Sequence, residues 1–433
     1  MIRCPVMHVV LLPFGSAGDV FPFLWLGRQL KAHGHEVTVI VASVFEEIVR
    51  KAGLEVVTVG TQADFDRFIK DPRVWKLYQG TKMVFELAAE STGLIYEQID
   101  FLIKKGQRPD LLMAACTVFG ARLAREKHGI PLVTVHVQPA VMISAYEMPV
   151  LLPGMQHLRR LPLWFRKKLV RMPNPADVFG GRPIRAACAV QGVPPPKSVW
   201  WDWGNSPDGV VVLFPPWFAQ PQPDWPANTL QWDFPLEDIA KERPLNDDVL
   251  QFLDAGEKPI VFTPGSANIQ ARRFFEVALA AVTAMGRRAI FATRDLGQLP
   301  PHLPDSVLAV EYAPFSALIP HTAAFVHHGG IGTLSQGFAA GVPQLIMAMA
   351  HDQPDNAYRL EQLGAGLGLI PMTFTPKRVQ AALLRLLTEP GFQEAAQRCR
   401  ERIRDRPPVE TLMRWVEERV LAAAAIGPKE FNP

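Results

Sequence analysis

Short apolar runs separated by polar, glycine-bearing turns organise the first 140 residues. Segments 7–13, 36–42 and 54–59 read as buried strands, with helices at 20–33 and 43–52 between them. Strands that are apolar throughout, instead of alternating, belong to parallel sheets covered by helices on both faces. A mainly helical stretch (72–105), a strand (110–115), a helix (118–128) and a strand (131–137) complete one doubly wound domain. Past residue 149 the pattern loosens, and 209–214 is one more buried strand. The Pro- and Trp-rich segment 215–235, with polar 237–248, cannot be regular throughout and reads as the connection between domains. The alternation then restarts, with strands at 259–263, 289–292 and 307–310 and helices at 272–285 and 315–319. A strand at 323–326 leads into a glycine-rich turn, a helix (333–340), a strand (344–347) and a polar loop carrying Asp352, Gln353 and Asn356. Helices at 376–388, 390–405 and 409–425 close the chain. The last follows a Pro-Pro break, from which it can cross back onto the first domain. The pattern predicts an α/β protein of two doubly wound domains, 1–236 and 237–406, facing across a cleft, with the crossing helix in 407–433.

Composition narrows the class. A length of 433 residues suits two domains. The net charge of +3, without a dense Lys/Arg block, argues against a nucleic-acid partner. Cys4, Cys116, Cys188 and Cys399 are scattered without a C-x-x-C pair, so reduced thiols are expected, not a zinc or disulfide framework. The apolar start, 6–12, is short and followed by a glycine turn, which fits a first strand and not a leader. No apolar run reaches the ~18 residues of a membrane span, and a cytoplasmic location is expected. One segment stands apart: 159–171 (RRLPLWFRKKLVR) mixes basic residues with Leu, Trp and Phe. It reads either as a surface helix touching the inner membrane face or a lipid-like acceptor, or as an amphipathic helix packed on its own domain. Pro162 interrupts any single continuous helix there.

Candidate chemistry gathers where strands end, since ligands of open α/β sheets collect at the carboxyl edge. Gly15, Ser16, Gly18 and Asp19 form such a turn, without the G-x-G-x-x-G spacing of a dinucleotide site. Asp19 serves either as a helix cap or, facing a cleft, as a proton acceptor. In the second half His327, His328, Gly329, Gly330, Gly332 and Thr333 join a strand to a helix N-terminus, where unpaired N–H groups and the helix dipole favour an anion. Adjacent strand residues point to opposite faces, so at most one of the two histidines reaches a ligand. Asp352 and Gln353 suit neighbouring sugar hydroxyls. Ser266, in the turn after 259–263, is a phosphate donor or a plain turn serine. Tyr312, with Ala313, stacks on a planar base or belongs to the core. Asp64-Phe65-Asp66 lacks the context of a metal-binding D-x-D and is taken as solvated surface. The spacing of a hydrolase G-x-S-x-G elbow fails, and neither H-E-x-x-H nor G-x-x-x-x-G-K-[ST] occurs.

These residues resemble the UDP-glycosyltransferase (GT1) superfamily in its bacterial branch. FGSAGDVFPFLWLGRQLKAHGHEVTV is similar to the amino-terminal signature of that group, and the stretch from Tyr312 to Gly366 to its donor signature. The resemblance implies the GT-B fold, two Rossmann-like domains, and inverting transfer from a nucleoside-diphosphate sugar with no metal and no cofactor. It implies Asp19 as the base, His327, Gly332 and Thr333 on the diphosphate with Ser266 nearby, and Asp352 and Gln353 on the sugar. Plant members use a His base oriented by an Asp, where this chain has Ala115 or Cys116. A carboxylate base is already ionised at neutral pH and has no tautomer to fix. Tyr312 stands where a base-stacking Trp is usual. Within the branch, GSAGDVFPF, LFPPWFAQPQPDWP, FTPGS and HDQPDN are similar to the rhamnosyltransferase subunits of rhamnolipid synthesis. That implies dTDP-L-rhamnose as donor, a hydrophobic hydroxylated acceptor such as a 3-hydroxyalkanoyloxyalkanoate, and a partner enzyme supplying the lipid. The alternatives are a UDP-glucose-dependent enzyme acting on an aromatic or polyketide-like molecule, a sugar-nucleotide 2-epimerase, and a non-catalytic accessory protein of the same fold.

Overall fold

A computed structural model of the protein describes residues 5–236, 244–265 and 271–426. Seven strands build the first sheet: β1 (His8–Leu12), β2 (Glu36–Ala42), β3 (Glu55–Val59), β4 (Leu111–Ala115), β5 (Leu132–His136), β6 (Gly209–Val212) and β7 (Thr229–Gln231). They lie in the order β3-β2-β1-β4-β5-β6-β7, every pair parallel. The second sheet holds β8 (Ile260–Thr263), β9 (Ala289–Ala292), β10 (Val307–Val310), β11 (Ala324–His327), β12 (Gln344–Met347) and β13 (Gly366–Leu369). Its order is β10-β9-β8-β11-β12-β13, again parallel. Both sheets therefore reverse direction once, at β1/β4 and at β8/β11. That reversal opens a crevice at the carboxyl ends of those strands.

The central strands are apolar because helices cover both faces: in β1 Val9, Val10, Leu11 and Leu12 are all buried. Two strands escape the apolar pattern. β13 (GLGL) is half glycine, and β7 has only three residues. A helix, Asp247–Asp254, occupies part of the expected connection, and another, Gln353–Gln362, replaces the expected polar loop. The expected domain limit at 236/237 falls at the edge of the described residues, with 237–243 outside them.

The connection packs the two domains together. Trp217, Phe218 and Phe234 from the first half meet Phe338 of the second at ring-centroid distances of 5.5, 5.9 and 6.3 Å. Beside them the fully buried Asp355 accepts from Arg359 (2.7 Å) and from the Val150 N–H (2.8 Å), while Arg359 also reaches Glu147 at 2.9 Å. The final helix, Val409–Ile426, lies on the first domain: Glu417 meets His35 at 3.3 Å and Trp415 packs over Gly209. Among the described residues no helix is long and apolar enough to cross a membrane.

Candidate active site

The carboxyl ends of β1, β4 and β5 face those of β8 and β11 across one cavity of about 1330 Å³. Single-ligand sites usually span roughly 300–1,000 Å³, so this one has room for two substrates at once. Asp19, Cys116 and His136 line it from the first domain, and His328, Gly330, Gly332, Thr333, Asp352 and Gln353 from the second.

On the first side, the helix Ala17–Ala32 begins three residues earlier than the sequence pattern suggests. Ser16 is its N-cap, which places Asp19 inside the first turn and not at the cap. The carboxylate accepts from the Ser16 N–H at 2.8 Å and from its hydroxyl at 3.2 Å. Gly15 makes this possible. Its φ is +127°, and a Cβ there would stand 2.3 Å from Asp19 Oδ2. Loss of hydration raises the Asp19 pKa to about 6, against the lowering effect of both Ser16 bonds. Burial pushes the neighbouring Cys116 thiol up to about 12, so it stays neutral.

On the second side, β11 ends at His327 and the helix Ile331–Ala340 starts after Gly330. Gly329, at φ +94°, turns the chain where a Cβ would meet Ile346 Cγ2 at 2.6 Å. Among the described residues a Cβ at Gly332 would meet no atom within 4 Å, so that N-terminus faces the cavity. The strand's alternation assigns the two histidines opposite to the expectation. His327 is fully buried; its Nδ1 accepts from the Gly329 N–H (3.0 Å) and its Nε2 meets Gln344 Oε1 (2.8 Å). Both nitrogens are spent on shaping the turn, and His327 does not face the cavity. His328 does. Its ring lies against Gly265 and Gly330, its Nδ1 has no hydrogen-bond partner among the described residues, and burial lowers its pKa to about 4.

Asp352 occupies the N-cap position of the helix Gln353–Gln362 without a side-chain capping bond, and its carboxylate accepts from Asn356 Nδ2 at 2.7 Å. Burial first, and then the charge of Asp19, raise its pKa to about 7. The two carboxyl groups thus sense each other across the cleft. Asn356 also donates to the Gly329 carbonyl (2.9 Å), tying the glycine turn to the Asp352 segment. Gln353 Oε1 accepts from the N–H groups of Met349 (2.8 Å) and Ala350 (3.3 Å). Before Asp352, His351 adopts φ +59°, and its Nε2 meets the Val74 carbonyl of the first domain at 3.0 Å. Nothing in the sequence pattern marked His351 or the second bond of Asn356; both depend on how the chain turns after β12.

Other expected residues lie elsewhere. Tyr312 is exposed and Ala313 buried at the end of β10, two strands and so about 10 Å from β8, outside the cavity wall. Ser266 lies outside the described residues. Asp64 caps the helix Gln62–Ile69 through Thr61, and Asp66 pairs with Lys70 at 2.8 Å. Among the described residues no group of three or more His, Cys, Asp or Glu is placed to hold a metal ion.

Comparison with known proteins adds to this geometry. Residues 9–146 match the glycosyltransferase family 28 N-terminal domain, and 277–418 the erythromycin biosynthesis protein CIII-like C-terminal domain. The chain is 29% identical to the O-mycaminosyltylonolide 6-deoxyallosyltransferase of Streptomyces fradiae, over 96% of this chain and 99% of that one. It is 27% identical to the 3-alpha-mycarosylerythronolide B desosaminyl transferase of Saccharopolyspora erythraea, over 98% and 100%. A spinosyn rhamnosyltransferase solved with thymidine diphosphate superposes with a TM-score of 0.66 at 18% identity, over 95% and 100%. A resemblance to rhamnolipid enzymes is not among these likenesses. Two facing parallel sheets of this order, glycosyltransferase family matches in both halves and full-length glycosyltransferase relatives together identify a GT-B-fold glycosyltransferase whose C-terminal half is similar to the erythromycin biosynthesis protein CIII-like family.

Proposed function

We propose that the enzyme transfers a deoxysugar from a thymidine- or uridine-diphosphate donor, with inversion, onto a hydroxyl of an apolar, polyketide-like acceptor. The observation that carries this reading is the placement of Asp19 and the Gly329–Thr333 turn on opposite walls of one cavity. Asp19 takes the proton of the acceptor hydroxyl while that oxygen bonds to the anomeric carbon. The bond from that carbon to the diphosphate breaks, and its electron pair leaves with the diphosphate. The N-terminus of the helix Ile331–Ala340, the Thr333 hydroxyl and His328 receive the developing charge. Burial alone favours neutral His328, and an arriving anion favours its protonated form. Asp352 and the amide nitrogen of Gln353 hold sugar hydroxyls, and Ser266 adds a donor to the diphosphate.

The macrolide-modifying names of the full-length relatives favour the polyketide-like acceptor over the lipid one. Transfer of L-rhamnose from dTDP-L-rhamnose to a hydroxylated lipid is the second reading. It draws on the apolar wall that Phe65, Phe68, Phe85, Ile95 and Ile143 give the acceptor side of the cavity. A panel of dTDP-rhamnose, other dTDP-deoxysugars and UDP-glucose, crossed with macrolide aglycones, aromatic phenols and 3-hydroxyacyl lipids, separates them by product mass. Product with lipids and none with aglycones refutes the main reading. Donor isomerisation without any acceptor would make the protein an epimerase instead.

A further inference from the structure

The basic-aromatic segment at 159–171 plays no part in the chemistry above, and the structure does not bury it. It forms a 3-10 turn, Met155–Arg160, and after Pro162 an eight-residue helix, Leu163–Val170, none of whose residues is buried. Leu163, Arg166, Leu169 and Val170 form its inner face. Arg166 pins that face by donating to the carbonyls of Leu161 (2.9 Å) and Tyr146 (2.8 Å), and Arg159 does so to Met148 (3.0 Å). The helix is therefore held in one orientation, and its outer face carries Trp164 (62% exposed), Phe165, Lys167 and Lys168. Arg160 and Arg171 extend the positive charge at either end. Residues 148–176 hold six Lys and Arg and not one Asp or Glu, in a chain whose net charge is only +3.

The chain on either side of this segment reaches the cavity wall. Leu151 and Asn174 line the cavity, while their near neighbours Leu152 and Met172 are exposed. Tyr78 both lines the cavity and stands 68% exposed, its ring 5.8 Å from Phe179, next to the exposed Val178. An apolar rim beside the acceptor entrance, flanked by outward cations and aromatic rings, is the pattern of a surface seated in the headgroup layer of a membrane. We infer that the helix Leu163–Val170 docks the enzyme on an anionic lipid surface, with Trp164 and Phe165 in the interface and Arg160, Lys167, Lys168 and Arg171 on the headgroups. The cavity mouth then opens toward the bilayer, so an apolar acceptor enters from the lipid phase. Charge complementarity selects this occupant: a neutral protein groove would leave four exposed cations unmatched, whereas an anionic surface attracts each of them. The seating rests on the surface alone and does not depend on which hydroxyl is glycosylated.

Sedimentation of the full chain with vesicles tests this. Binding to phosphatidylcholine vesicles containing phosphatidylglycerol, weak binding to pure phosphatidylcholine, and release by 0.5–1 M salt are expected. Each outward cation contributes roughly a fivefold factor, so Lys167→Gln with Lys168→Gln should weaken partitioning about 25-fold. Trp164→Ser with Phe165→Ser should abolish it. Both double variants should turn over a water-soluble acceptor at the parental rate, which shows that they fold and separates failure of docking from failure of the catalytic reading. Three outcomes overturn the proposal: no sedimentation at any lipid composition, sedimentation that the four substitutions leave unchanged, or a chain crosslinked through position 164 to a protein while ignoring vesicles.

Discussion

Asp19→Asn should make the enzyme more stable and nearly inactive at once. The argument starts from hydration. In the unfolded chain the carboxyl titrates near 3.8; in the cavity, loss of water raises this to about 6. A pKa raised on folding means that the ionised form is the costly one. The stability linked to this group is complete below about pH 3.8 and is lost as pH rises through about 6. About two units at ~1.4 kcal/mol each gives a ceiling of ~3 kcal/mol, and access of solvent through the cavity reduces that to about 1–2 kcal/mol. Asparagine has nearly the same shape. Its Oδ1 can still accept from the Ser16 N–H, now 2.8 Å from the carboxylate, so the turn survives without the charge.

The assay is denaturant unfolding of both proteins at pH 4, 6 and 8, beside transfer rates. The variant should match the parent at pH 4 and exceed it by about 1–2 kcal/mol at pH 8. Its transfer rate should fall roughly 10²–10⁴-fold, the usual contribution of a positioned base. The parental kcat/KM should show an acid limb near pH 6, where Asp19 takes up its proton. A variant less stable than the parent at pH 8, or a stability gap that does not change with pH, refutes the buried-carboxylate argument. Retained turnover refutes the base.

The histidine pair gives opposite phenotypes. His328→Ala should raise the donor KM and lower kcat while leaving unfolding unchanged. His327→Leu should cost about 2–4 kcal/mol of stability, since the Gly329 N–H and Gln344 Oε1 lose their partner; the reverse pattern in melting and kinetics would exchange their roles. Gly15→Ala should cut kcat/KM at least tenfold with normal donor binding by calorimetry, because its Cβ and the Asp19 carboxylate compete for one place. Unchanged kinetics would show that this turn does not set the base. Arg359→Met strands the fully buried Asp355 and should cost about 3–5 kcal/mol in urea unfolding; a loss under 1 kcal/mol would remove the inter-domain cluster from the account.

What the sequence made legible follows from what a parallel sheet demands. Strands such as β1 and β11 are covered on both faces, so they stand out as apolar runs, and the residues just past them can be assigned to the carboxyl edge. That places Asp19 and the glycine turn without knowledge of any side chain. β13 stayed hidden because glycine carries no apolar signal, and the helix Gln353–Gln362 because its opening residues are the polar ones a loop would use. The histidines show the limit most clearly. Alternation says that only one of His327 and His328 faces the ligand, and the choice depends on whether the first ring closes the turn behind it. Gln344, seventeen residues on, decides this by meeting the His327 ring, a contact that exists only once β11 and β12 pair. Acceptor choice is harder still. The phosphate turn is under the same physical demand whatever the sugar is moved to, so similarity there carries no information about the acceptor. The apolar wall that does choose is written in the same residues as an ordinary core, and only the cavity separates Phe65 or Phe85 from a packed phenylalanine. The rim at Trp164 differs, because exposed aromatic rings among four outward cations have no counterpart in a core. For that reason the surface is a better guide to where this enzyme meets its acceptor than the phosphate motif is to what the acceptor is.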